Sequence, residues 1–175
     1  MSKQIQYWGL TAAWTILIYS TLYIVRPICE FLKKYTPFNL IVWSIFVLIS
    51  AWIIYLVFFH VRWRRASSYL LFSGIVVCYV VVLFWLKIPE ERIHLIQYGI
   101  LACLVVRALR LDLPPLAAYA GAFVLTSLLG LGDEGIQHVL SNRYFEWKDV
   151  YLNAVSGGLG LLLWSSFQKD ETNTF

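Results

Sequence analysis

Six apolar runs, each about 18 to 22 residues long and separated by short polar breaks, take up most of this 175-residue chain. A helix of that length crosses roughly 30 Å of hydrocarbon and bonds its own backbone where no water is available. Hydrophobic residues make up 60% of the chain and charged residues 14%. A water-soluble domain of this size cannot bury that much apolar surface. The expected fold is therefore all-α, a polytopic membrane protein of about six transmembrane helices.

The first run covers residues 5–25, is closed by Arg26-Pro27, and lacks the small-residue cleavage pattern of a signal peptide. Residues 27–38, with Lys33, Lys34, Tyr35 and Pro37, are expected to form an interfacial connection. The second run covers 39–59 and ends at Arg62, Arg64 and Arg65. The third, from about Tyr69 to Leu86, has Ser67 and Ser68 as candidate caps. A fourth opens at Pro89-Glu90-Glu91, where a proline and acids suit a helix N-terminus, and ends near Arg107 to Arg110. Pro114-Pro115 opens the fifth, which is apolar to Leu131 and carries Asp133 to His138 as its final turns. The sixth extends from about Asp149 to Phe167. The expected organisation is a three-helix segment, 1–88, a polar-site region, 89–168, and a short polar tail, 169–175, all within one membrane domain.

Eight Trp and eleven Tyr, many near the ends of apolar runs, suit anchoring at headgroup level. The net charge of +4 suits anionic lipid and is too diffuse for nucleic acid, which is not an expected partner. Cys29, Cys78 and Cys103 supply neither a disulfide framework nor metal-ligand spacing. Six spans put Lys3, Arg62, Arg64, Arg65, Arg107, Arg110 and Lys169 on one side, against Arg26, Lys33, Lys34, Lys87, Arg92, Arg143 and Lys148 on the other. Seven against seven leaves the positive-inside comparison tied. The compact Arg62 to Arg65 cluster favours cytoplasmic termini.

The stretch from Gly132 to Gly160 departs most from a hydrocarbon-like composition. Polar groups in or beside a bilayer are costly and suggest function. On the fourth helix, Glu91, His94, Gln97 and Tyr98 stand three or four apart and form one stripe. Glu134, Gln137 and His138 repeat the spacing on the fifth, and Asp149, Asn153, Gly157 and Gly160 on the sixth. All three stripes lie at the same membrane face, where they would converge with Arg143. Each polar residue alone also fits a bland role. His94 would serve as an interfacial histidine, and Asp133, Glu134 and Asp149 as carboxylates in headgroup water with Arg143 as their salt-bridge partner. Gly157 and Gly160 are expected to serve helix packing.

At these residues the sequence resembles the VanZ-like family of membrane proteins, named after a teicoplanin-resistance protein. That family's pattern is an acid followed by Lys-x-x-His and a Tyr four residues on, later Glu-x-x-Gln, then Arg, then Asp-x-x-x-Asn-x-x-x-Gly. Glu90, His94 and Tyr98 stand in register with the first element, and Glu134 and Gln137 with the second. Arg143 matches the third, and Asp149, Asn153 and Gly157 the fourth. Glu91 occupies the usual Lys position, reversing a charge, and the last Gly of the helix is at 160 where 161 is expected. The resemblance spans residues 89–160. It implies a protein of the bacterial cytoplasmic membrane, connected in some relatives with glycopeptide resistance, without supplying a reaction.

Two functions fit. In the first, an enzyme acts at the bilayer surface on a lipid or lipid-linked cell-wall precursor. His94 is then the general acid or base, with Glu134 or Asp149 orienting it. Arg143 holds a phosphate or carboxylate, and Glu90, Tyr98, Gln137 and Asn153 bind substrate. No Ser or Cys stands in the motif as an evident nucleophile, so water or His94 itself would attack. His94, Glu134, His138 and Asp149 are N and O donors suited to a divalent metal, though no tight ligand motif joins them and no metal site is assigned. In the second, the same pocket binds or transports a lipid headgroup or amphiphilic antibiotic such as a glycopeptide without changing it.

Overall fold

The computed structural model describes residues 2–61, 66–140 and 144–168 and is all-helical among them. In order the helices are α1 (Lys3–Tyr35), α2 (Phe38–Tyr55, continued by a π-helical turn, Leu56–Val61), α3 (Ala66–Trp85), α4 (Pro89–Leu109), α5 (Pro115–Val139) and α6 (Trp147–Gln168). Each holds a stretch long and apolar enough to cross a membrane.

Two boundaries differ from the expected ones. The helix α1 continues through Pro27 as far as Tyr35, so the interfacial connection expected over 27–38 shrinks to Thr36-Pro37. A proline inside a helix removes one backbone bond and crowds the preceding turn. Here Val25, Cys29 and Leu32, at helical spacing around it, join the apolar cluster built with α2 and α4, and that burial keeps the turn helical. Lys33 and Lys34 in the last turn also suit the negative end of the helix dipole. Ser67 and Ser68, expected as caps, lie inside α3, and Ser68 is buried.

The centre of the bundle is α4. It packs most extensively on α6, and also on α1, α5 and α2. Half of its span is buried, and 44% of that of α6, against 17–22% for the other four. Those four helices turn residues such as Leu70, Phe84, Leu116 and Val139 outward, as a lipid-facing shell requires.

Between membrane helices the hydrophobic effect gives little attraction, so association depends on close packing and polar contacts. The buried face of α5 accordingly reads Ala118, Ala122, Thr126, Gly130, and then Asp133, Glu134 and Gln137. Small residues let α6 approach along most of the helix, and polar ones take over near the membrane face. A Cβ on Gly130 would lie 2.7 Å from that of Asn153, and one on Gly157 3.0 Å from Cγ2 of Thr126. Glycine at 130 is therefore what admits the Asn153 side chain. At the opposite end of the bundle, Arg107 donates to the Tyr7 hydroxyl at 3.0 Å and stacks over Trp164.

Candidate functional site

The end of α3, the start of α4, the end of α5 and the start of α6 meet at one face of the bundle. Their polar side chains form two groups that differ in how completely their hydrogen bonds are met.

The first group is closed. The Tyr98 hydroxyl donates to Oδ2 of Asp133 at 2.7 Å. The Gln137 amide donates to Oδ1 of Asp133 at 3.2 Å and to Oε1 of Glu134 at 2.8 Å. The other Glu134 oxygen accepts from the backbone N–H of Glu146 at 3.2 Å, tying the loop before α6 to the end of α5. Asp133 and Glu134 are fully buried, so neither sits in headgroup water. Carboxylates in such a place require donors, and two tyrosine- and glutamine-bearing turns supply them.

The second group surrounds His94, which is also buried. Its Nδ1 lies 2.8 Å from Oδ1 of the fully buried Asn153. The Asn153 amide nitrogen is turned to the carbonyl of Gly130 at 3.4 Å, so the oxygen faces the imidazole. The hydrogen bond then requires the proton on Nδ1, and a neutral ring keeps its basic lone pair on Nε2. The Tyr98 ring lies parallel to the imidazole with centroids 6.1 Å apart.

One turn nearer the surface, Glu91 of α4 and Asp149 of α6 flank this pair. Asp149 lies within electrostatic reach of His94, Glu91 and Lys148. Lys148 Nζ is 2.5 Å from Oε1 of Glu91. Oε2 of Glu91 and Oδ1 of Asp149 are buried with no hydrogen-bond partner among the described residues.

The structure thus brings His94, Tyr98, Glu134, Gln137, Asp149 and Asn153 to one end of three helices. His94 donates its hydrogen bond to Asn153, whereas Glu134 is engaged by Gln137 and the Glu146 backbone. Gly157 and Gly160 lie along the buried face of α6. His138 is exposed, its ring edge-on to Phe145. No three His, Cys, Asp or Glu side chains among the described residues gather as metal ligands, so the donor set His94, Glu134, His138 and Asp149 is not assembled. Arg143 and the side chain of Glu90 lie outside the described residues.

Sequence reasoning gave too little weight to two residues. Asp133 continues the Ala118, Ala122, Thr126, Gly130 register toward the face, a spacing that marks it as inward-facing. Arg92 stands two positions before His94, about 200° around the helix, and so faces other neighbours. It is buried, donates to Oδ1 of Asn39 at 2.6 Å and to the carbonyl of Leu86 at 2.9 Å, and lies over the Trp43 ring. The pair Asn39 and Trp43, four apart on α2, is the signal that could have found it.

The sequence model of VanZ/LLP1 matches residues 10–168, nearly all of the six helices. The chain belongs to the VanZ/LLP1 family. The VanZ/LLP1 match is wider than the motif-bearing residues 89–160 and takes in the first three helices, which carry none of the polar motif. Those helices and the link after α3 supply Asn39, Trp43 and the Leu86 carbonyl that hold the start of α4, so the VanZ/LLP1 polar region has its support within the matched region. No curated protein and no solved structure matches the chain.

Proposed function

We propose that this VanZ/LLP1 protein acts on a lipid or lipid-linked envelope precursor at one face of the bacterial cytoplasmic membrane, with His94 as general acid and base. The observation that carries the reading is the bond from His94 Nδ1 to Asn153, which fixes the ring and leaves Nε2 as the basic nitrogen. A histidine so held takes a proton from water or a substrate hydroxyl and returns it to the leaving group. Asp149 stabilises the imidazolium that forms. Arg143 and Glu90 receive the polar headgroup, Arg143 by paired bonds to a phosphate or carboxylate. Tyr98, through Asp133, holds α4 to α5 beneath it, and Glu134 with Gln137 ties α5 to the chain before α6. Water is the nucleophile, since the Ser156 hydroxyl is committed to the carbonyl of Leu152.

The Arg62, Arg64, Arg65 cluster supports cytoplasmic termini, which places this site at the outer face. A bearing on teicoplanin resistance then follows from changed envelope composition.

A second reading, binding or transport of a lipid headgroup or amphiphilic antibiotic, draws on the closed network of Tyr98, Asp133, Gln137 and Glu134, which locks helices without offering a reactive group. Mass-spectrometric profiling of lipids and lipid-linked precursors separates the two, in cells expressing wild type or His94→Ala at matched levels. A species consumed or produced only with wild type supports chemistry at His94. Identical profiles, with the same lipid co-purifying on both proteins, reject it in favour of binding or transport.

A further inference from the structure

Lys148 and Glu91 form an ion pair of unequal partners. The Glu91 side chain is 9% exposed and that of Lys148 43%, so a half-exposed cation reaches down from outside onto a buried carboxylate. Lys148 Nζ also lies 5.6 Å from the centroid of the Trp85 ring. Trp85 is at the end of α3 and is itself largely exposed, at the depth where the spans end. An ammonium faced by an indole and a carboxylate has the two attractions that organic cations find in proteins.

A half-exposed ion pair contributes little by itself. It also leaves Oε2 of Glu91 and Oδ1 of Asp149 buried and without a donor among the described residues. Buried carboxylate oxygens without donors are costly, and among the oxygens of Glu91 and Asp149, Lys148 meets only Oε1 of Glu91. The Lys148 ammonium is held by its own helix, whereas the primary ammonium of a ligand brings three N–H donors that can turn toward the unmet oxygens.

We propose that Trp85, Glu91 and Asp149 form a subsite for the primary ammonium of an aminophospholipid headgroup, with the Lys148 ammonium standing in its place. A lipid is the fitting carrier because the subsite lies at the first turns of α4 and α6 and the last of α3, level with the headgroups, beside an exposed indole. The ligand ammonium displaces Lys148 toward water and bonds Glu91 and Asp149 one turn above His94. This names the substrate class of the His94 site and so rests on that reading, but the binding is measured without turnover.

The test uses the full chain in nanodiscs of equal parts phosphatidylglycerol, phosphatidylethanolamine and N-acetyl-phosphatidylethanolamine, which lacks the ammonium. Native mass spectrometry reads the retained lipid. Wild type should retain phosphatidylethanolamine over both others by about tenfold, the scale of one charge-assisted hydrogen bond. Glu91→Gln should abolish that preference, and Lys148→Met, which removes the competitor, should increase it. Equal retention of the amine and its N-acetyl form by wild type and Lys148→Met overturns the proposal, as does a preference unchanged in Glu91→Gln. Lys148→Met has the opposite sign from Glu91→Gln, so a folding defect cannot imitate the expected pair of results. Amine preference with no lipid consumed rejects the catalytic reading of His94 and upholds this subsite. Turnover of a lipid without an amine does the reverse.

Discussion

A Cβ placed on Gly160 would lie 2.5 Å from the backbone oxygen of Gly99, whereas one placed on Gly99 would meet nothing closer than 3.6 Å. The close approach of α4 and α6 therefore depends on one partner of this pair. Gly160→Ala should force the helices apart and lower stability by about 1–3 kcal/mol, the usual cost of overpacking, while Gly99→Ala should be nearly neutral. Thermal denaturation of both variants in the same detergent checks the asymmetry. Equal losses would show that the two backbones do not meet in this register.

The same helix contact brings Asn153 to His94, so the two should act as a unit. His94→Ala is expected to reduce turnover by about 10²–10⁴-fold, the range for loss of a general acid or base. Asn153→Ala should reduce it less, by removing only the group that holds the ring. Asn153→Asp, which keeps an acceptor for the Nδ1 proton, should recover part of the loss. The readout is the rate at which the lipid species found by profiling is consumed, and Asn153→Asp no better than Asn153→Ala would remove the orienting role.

Tyr98 and Asp133, both fully buried, join α4 to α5. Tyr98→Phe leaves Oδ2 of Asp133 without its donor, and stability should fall by about 1–3 kcal/mol. Combining Tyr98→Phe with Asp133→Asn should cost less than the sum of the two single changes, because the stranded charge is removed. A thermal-shift cycle over the four proteins measures the coupling, and strict additivity would mean that the bond contributes nothing.

Arg92 links the start of α2 to the end of α3 by two hydrogen bonds while lying over Trp43. Lysine keeps the charge but cannot place two donors in a planar fork, so Arg92→Lys should be destabilising although conservative in charge. Asn39→Ala should lower the melting temperature in detergent by a similar amount, and a normal melting temperature for both would show the clamp to be incidental.

Hydropathy and the 3.6-residue period are local properties of a chain, and they determined the six spans, the polar stripes on α4, α5 and α6, and the face where those stripes meet. Locality also explains the misplaced connection at Pro27, since a proline disfavours helix in its own turn and only neighbouring helices supply the burial that outweighs it. The partners within the site are not local. His94 bonds Asn153, 59 positions away, and Tyr98 bonds Asp133, 35 positions away. Which side chains face each other depends on how each helix is rotated about its axis. That rotation is set where backbones touch, at Gly160 on Gly99 and at Gly130 beneath Asn153. The sequence alone determined which residues could share the face. Tertiary structure decided that Asp133 closes with Tyr98, that Asn153 rather than a carboxylate holds His94, and that Glu91 and Asp149 keep unmet oxygens, because side-chain pairing follows from interhelical contacts that no short window of sequence contains.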